Sequence, residues 1–149
     1  MSQSNPIKLF VSHTFAEHDD YFRVFDYLES SNNFYYTNYS APDQMPATGG
    51  KEAIREVFRE QIKPAEAMIV SSTMYSENID WITFQMDVAQ AMEKPIIAME
   101  SFGSTVPVAD EIKKRADEIV GWDARSLVDA IKRQARHEDT SRWEVIDFP

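Results

Sequence analysis

Five short apolar runs divide the chain, at residues 7–11, 34–37, 67–70, 95–99 and 118–120. Their length and their Val, Ile and aromatic content predict strands. The runs at 7–11, 67–70 and 95–99 show little polar alternation, as parallel strands covered on both faces do. Between them apolar residues recur at helical spacing. Tyr21, Val24, Phe25 and Leu28 predict one helix, with Asp19 or Asp20 as its N-cap. Ile54, Val57, Phe58 and Ile62 predict a second after Gly49-Gly50, stopped by Pro64. Ile79, Ile82, Met86 and Ala89 form a third stripe. Ile112 and Ala116 mark a short fourth helix after Pro107, and Leu127, Val128, Ile131 and Ala135 a fifth that starts near Asp123 or Ser126.

Strand and helix alternate five times, which predicts an α/β domain with a parallel sheet. Five strands favour a flavodoxin-like three-layer fold with strand order 2-1-3-4-5 and helices on both faces. No repeat or inner linker breaks the pattern, so residues 1–149 form one domain. Its core spans 7–135 and its tail 136–149. The tail ends Trp143-Glu-Val-Ile-Asp-Phe-Pro, which either packs on its own domain or serves self-association.

Composition narrows the function. The formal net charge of −10 disfavours binding to phosphate backbones, so nucleic acid is not an expected partner. No apolar run approaches the ~20 residues that span a bilayer, and the start of the chain carries no secretory signal. The expectation is a cytoplasmic protein without a membrane partner. Cysteine is absent, which removes disulfides, thiol nucleophiles and thiolate metal sites.

In an open parallel sheet, ligands sit beyond the carboxyl ends of the strands at the topological switch point. The segments predicted there are Ser12-His13-Thr14-Phe15, Asn38-Tyr39-Ser40, Ser71-Ser72-Thr73 and Glu100-Ser101-Phe102. Hydroxyls, amides and aromatic rings suit ribose and stacked bases. No glycine-rich dinucleotide or P-loop motif is present, and four glycines cannot build one. A phospho-receiver would need an aspartate where the third run ends in Ser71-Ser72. His13 and His18 with Asp19-Asp20 have poor metal-ligand spacing, so no metal is expected.

Several motifs, in order, resemble the TIR superfamily. They are Leu9-Phe-Val-Ser12 with the later Asp19-Asp20, then Ser72-x-x-Tyr75, then Trp81-x-x-x-Gln85. Two further runs are similar to the TIR-like proteins of bacterial Thoeris antiphage defence: Tyr36-Thr-Asn38-Tyr39-Ser40-Ala-Pro42, and Lys94-Pro-Ile-Ile-Ala98 with the downstream run 116–122. The resemblance spans residues 7–135. It implies a domain that cleaves NAD, as substrate and not as cofactor, between nicotinamide and ribose. It also implies release of a cyclic ADP-ribose isomer as a diffusible signal to a downstream NAD-depleting effector, with a phage component as the trigger. The family's catalytic glutamate falls on position 85, where this chain has glutamine. The strand-end segments and these motifs together give the expected substrate contacts: Ser12, His13, Phe15, Asn38, Tyr39, Ser40, Ser72, Tyr75 and Trp81. The resemblance also makes the loop at 42–50 an assembly and gating element, so a homo-oligomer is expected.

Cleavage of that bond develops an oxocarbenium-like cation, which a carboxylate can face as in glycoside hydrolysis. Nicotinamide leaves as a neutral base, so one carboxylate suffices. Residues 81 and 85 lie one helical turn apart, next to the stripe of Ile79, Ile82 and Met86. Position 85 is therefore expected at the rim of the core, partly desolvated. Glutamine preserves the shape and withholds the charge, at a cost of roughly a hundred- to several-thousand-fold in rate. The chain reads either as an active-site variant or as a naturally inactive paralogue. Blander readings stand beside these. Trp81 can be a packing residue, His13 a satisfied buried histidine, Asn38-Tyr39-Ser40 a turn, and Lys113-Lys-Arg115 a solvated face. At the level of function the alternatives are a non-enzymatic assembly module and a nucleotide receptor.

Overall fold

The computed structural model describes residues 3–138. The elements run β1 (Ile7–Val11), α1 (Asp19–Glu29), β2 (Tyr36–Asn38), α2 (Gly50–Ile62), β3 (Ala67–Ser71), α3 (Ser72–Glu77), α4 (Ile79–Ala91), β4 (Ile96–Met99), α5 (Asp110–Arg115), β5 (Glu118–Val120) and α6 (Ala124–Arg136). All strand pairs are parallel, in the order β2-β1-β3-β4-β5. This is the predicted flavodoxin-like sheet. Helix α1 packs with α6, and α2 with α4, so the two groups cover opposite faces. The expected tail, apart from its first residues, lies outside the described region. Among the described residues no helix is long and apolar enough to cross a membrane.

Burial explains why the central strands were readable. Every residue of β3 and β4 is buried, and only Lys8 of β1 is exposed. The register sets Leu9 beside Ala67 and Ile69 beside Ile97, so one apolar slab runs across three strands. Their carboxyl ends therefore stop level with one another, at Ser12, Ser71 and Met99. This places the loops after β1, β3 and β4 side by side.

Four details differ from the sequence reading. Strand β2 lies at 36–38, later than expected, because Ile7 pairs with Tyr36 and Leu9 with Asn38. Asn38 thus belongs to a strand end. The cap of α1 is His18, whose ring Nδ1 accepts from the Asp20 N–H at 3.0 Å, while Asp19 and Asp20 occupy the first turn. A short extra helix, α3, follows β3 because the Ser71 hydroxyl accepts from the Met74 N–H at 3.2 Å. Ile79 leaves the expected stripe and is half exposed at the start of α4, while Ile82, Met86 and Ala89 are buried.

Gly49, just before α2, has φ 98, and a Cβ there would come within 2.7 Å of the Ala53 Cβ. Only glycine enters α2 along this path.

Candidate functional site

Helix α4 carries position 85 to the carboxyl end of β1. The Ser12 hydroxyl donates to Gln85 Oε1 at 2.7 Å, and Gln85 Nε2 donates to the His13 carbonyl at 2.7 Å. Gln85 has no exposed surface and Ser12 only 1%. The expectation of a partly desolvated rim position is thus corrected: side chain 85 points into the protein, at the strand end, with both ends of its amide satisfied. The backbone carbonyl of His13 can only accept, so it fixes which way the amide faces. A carboxylate in the same pose would set an oxygen against that carbonyl.

His13 is also buried, at 1% exposed. Its Nδ1 accepts from the Phe15 N–H at 3.2 Å, which leaves Nε2 to donate to Gln61 Oε1 at 2.8 Å. The ring is therefore neutral with its proton on Nε2. Phe10, Phe15, Tyr21 and Phe58 surround it at centroid distances of 4.9–6.2 Å. Burial in that aromatic shell lowers the imidazole pKa below its ordinary 6.5, against an opposing pull from Gln61. Gln61 in turn clamps both backbone groups of Ala41, at 3.0 Å and 3.2 Å. One amide thus ties the loop after β1 to the root of the 42–50 loop.

The other sequence-selected residues divide between structural and open positions. Phe15 is half-buried in the left-handed region (φ 68) and stacks on Phe58 at 4.9 Å. That conformation costs an aromatic residue roughly 1–3 kcal/mol, offset by the stack and the bond to His13. Asn38 makes a turn: its Oδ1 accepts from the Ser40 N–H at 2.9 Å and from the Ser40 hydroxyl, while its Nδ2 donates to Tyr21 at 3.1 Å. The Tyr39 N–H continues the β1 ladder by donating to the Leu9 carbonyl. Tyr75 is buried in the core. Ser72 is buried, and its hydroxyl has no partner among the described residues.

Trp81 lines an open cavity. That hollow has a volume of 770 Å³ and is walled by Lys51 and Arg55 of α2, by Ser76, Glu77 and Asn78, and by Ile79, Asp80, Trp81 and Phe84 of α4. Trp81 and Phe84 meet edge to face at 6.1 Å, and Trp81 leans on Phe58 at 5.7 Å. A smaller crevice of 430 Å³ lies beyond the strand ends between His18, Asp20, Arg23, Thr73 and Phe102. There the buried Asp20 carboxylate accepts from Ser71 and pairs with Arg23, and the Arg23 guanidinium lies 3.7 Å from the Phe102 ring centre. His18 bridges the two hollows through Glu77 at 3.1 Å. His13 and His18 therefore belong to separate networks.

Sequence reasoning missed Gln61, Arg23, Lys51, Arg55 and Phe84. Gln61 left a readable trace: it lies three residues beyond Phe58, a polar side chain on the apolar face of its helix. Arg23 left only its i,i+3 spacing from Asp20, because its ring partners, Phe102 and Trp122, come from two distant segments.

Two predictions test these placements. A neutral His13 in the folded state means that only the unfolded chain takes up a proton just below pH 6.5. Stability should fall as pH drops from 6.5 toward the lowered native pKa, by up to about 1.4 kcal/mol per pH unit, and level off below it. Urea unfolding of His13→Gln between pH 7.5 and 5 should lose that part of the slope; an unchanged slope would show that His13 is not buried as described. Gln85→Glu should be less stable than the parent at pH 7 by about 1–3 kcal/mol. Burial raises the new carboxyl above its unfolded value, so the deficit should grow as pH rises through that window. Equal stability of the two proteins from pH 4 to 8 would contradict the geometry.

A family profile described as "Thoeris protein ThsB, TIR-like domain" matches residues 10–105. A search of curated proteins finds no match. Among solved structures, the response regulator domain of Thermotoga maritima CheB superposes with a TM-score of 0.53 at 14% identity, covering 91% of this chain and 100% of that one. At that identity the likeness speaks for the fold alone, and β3 ends here in Ser71 without the aspartate a phospho-receiver requires. The profile covers well over half of the 149 residues and runs from the last residues of β1 through β4, taking in Trp81 and Gln85, so the chain belongs to the family of the Thoeris ThsB TIR-like domain.

Proposed function

We propose that the chain is an NAD-cleaving TIR-like scaffold of an antiphage system. Its product would be a cyclic ADP-ribose isomer that diffuses to a separate NAD-depleting effector. The supporting observation is the Trp81 cavity. It has the size of a small-molecule site, an aromatic floor, two cations and two carboxylates, and it opens on the helix that carries position 85. Family membership supports this choice of reaction class, and this chain's residues carry the rest of the reading.

Trp81 and Phe84 offer faces to a flat ring. Ser12 and the His13 carbonyl orient side chain 85, and His13, Phe15 and Gln61 hold the loop that covers it. Asn38, Tyr39 and Ser40 shape the end of β2, and Ser72 and Tyr75 are buried in α3, beyond the end of β3. Substrate reaches position 85 only when the 12–15 segment moves off the amide, because Gln85 is fully enclosed. Once there, the amide can hydrogen-bond a ribose hydroxyl but cannot neutralise the ribosyl cation. The chain should therefore bind NAD and turn it over slowly. A phage component as trigger and a homo-oligomer as the active form complete the proposal.

A second reading has its own observation. The amide at 85 has an acceptor and a donor matched to Ser12 and His13, as a strut would. That fit favours a non-enzymatic assembly module, in which glutamine is no defect.

The test is nicotinamide release from NAD by the parent and by Gln85→Glu, measured where both are folded. The enzymatic reading expects the parent to be stabilised thermally by NAD, and the variant to release nicotinamide roughly a hundredfold faster or more. No thermal shift and no gain in release would leave the assembly module as the function.

A further inference from the structure

Gln61 is a buried amide on the apolar face of α2, between Phe58 and Ile62, and both of its ends are engaged. Its Oε1 accepts from the Ala41 N–H at 3.0 Å, and its Nε2 donates to the Ala41 carbonyl at 3.2 Å. A backbone N–H can only donate and a carbonyl can only accept, so Ala41 fixes which way the amide faces. The same Oε1 lies 2.8 Å from His13 Nε2. An amide oxygen can only accept, so the ring proton is held on Nε2. Nδ1 is then left as an acceptor, and the Phe15 N–H donates to it at 3.2 Å. Phe10, Phe15, Tyr21 and Phe58 pack around the ring, and Gln61 is its hydrogen-bonded side-chain partner among the described residues.

Phe15 depends on that bond. Its backbone is in the left-handed region at φ 68, a conformation that persists only where its surroundings hold it. It ends the 12–15 segment, whose His13 carbonyl meets Gln85 Nε2 at 2.7 Å. With Ala41 in place, one amide orientation and one ring tautomer satisfy all of these groups together. If the Ala41 backbone withdraws, the Gln61 amide is free to turn over and present its Nε2 to the ring. The ring then releases the Nε2 proton to water and takes one from water at Nδ1, keeping its charge. Two N–H groups, those of Nδ1 and Phe15, would face each other, and the turn would lose its anchor.

We propose that Gln61 is a positioning residue that sets the tautomer of His13, and through it the Phe15 turn that keeps position 85 covered. The signal it passes on is the position of the Ala41 backbone at the root of the 42–50 loop. Gln61 touches neither Gln85 nor the Trp81 cavity; it acts through one ring proton. The consequence for substrate access to position 85 rests on the proposed NAD reading, whereas the relay stands on hydrogen bonds of the free protein.

The experiment is nuclear magnetic resonance of the His13 ring nitrogens, read together with hydrogen exchange of the Phe15 N–H. In the parent at pH 7 the ring should carry its one proton on Nε2, with Nδ1 bare and the Phe15 N–H protected. Gln61→Glu is nearly isosteric and sets a carboxylate against Nε2, which favours the charged ring. Nδ1 should then hold a proton at pH 7, and the Phe15 N–H should exchange roughly tenfold faster, the equivalent of one lost hydrogen bond. In His13→Asn the side-chain oxygen accepts from the N–H two residues on, whatever stands at position 61. Adding Gln61→Glu to His13→Asn should therefore leave Phe15 protection unchanged. A parent ring protonated on Nδ1 would overturn the proposal without any variant. So would a ring unchanged by Gln61→Glu, or an Nδ1 proton gained with no loss of Phe15 protection. Loss of protection in the His13→Asn background would mark a packing effect and overturn it too. In calorimetric titration with NAD, Gln61→Glu should bind more tightly than the parent, because its cover is looser. Equal or weaker binding would overturn the role at position 85. No binding by either protein would overturn the NAD reading and that role with it, while the ring and exchange readings still decide the relay.

Discussion

The amide of Gln85 joins the two parts of the molecule on which the candidate site depends. One end holds the Ser12 hydroxyl and the other the His13 carbonyl, so a single buried side chain fixes α4 against the carboxyl end of β1. Both contacts are made where water has no access, and an unmet partner there costs about 1–3 kcal/mol. The ring of the same His13, held by the Phe15 N–H, bonds Gln61, which holds Ala41. A chain of matched donors and acceptors thus runs from α4 through the β1 loop to the root of the 42–50 loop. These bonds tie the root of that loop to the segment that covers position 85.

The same amide explains why the two functional readings stand so close together. A glutamate at this position would be held by burial and by a facing carbonyl in a state of high energy, the condition under which a carboxylate acts strongly on a nearby cation. Glutamine relieves that conflict and yields a quiet, well-packed joint. On the enzymatic reading, stability and catalysis pull position 85 in opposite directions, a tension common at sites built for chemistry. The Trp81 cavity lies on the first turn of the same helix, so changes at its walls reach the joint through α4.

Much of this was legible in the sequence, and the reason is burial. Strands β1, β3 and β4 are enclosed on both faces, so their apolar runs identify them without ambiguity. Strand β2 lies at the sheet edge with half-exposed side chains, and there the aromatic run 34–37 pointed two residues early. Helix α3 was invisible because one hydroxyl, Ser71, turns an expected loop into a helical turn. At the site, the helical spacing of Trp81 and Gln85 gave the helix and the turn between them. It did not give the direction of side chain 85, which is decided by Ser12 and His13 more than seventy positions earlier. The cavity walls were hidden for the same reason: Lys51, Arg55 and Phe84 become neighbours only when α2 packs on α4.

The most direct measurement is the side-chain amide signal of Gln85 by nuclear magnetic resonance, assigned through a Gln85→Leu comparison. In the free protein its two protons should exchange slowly with water, as an enclosed, doubly bonded amide requires. On addition of NAD the signal should shift and lose protection as the 12–15 segment moves aside. A Gln85 signal that stays unshifted and protected under saturating NAD would contradict the account, since the joint would then be a strut remote from any ligand.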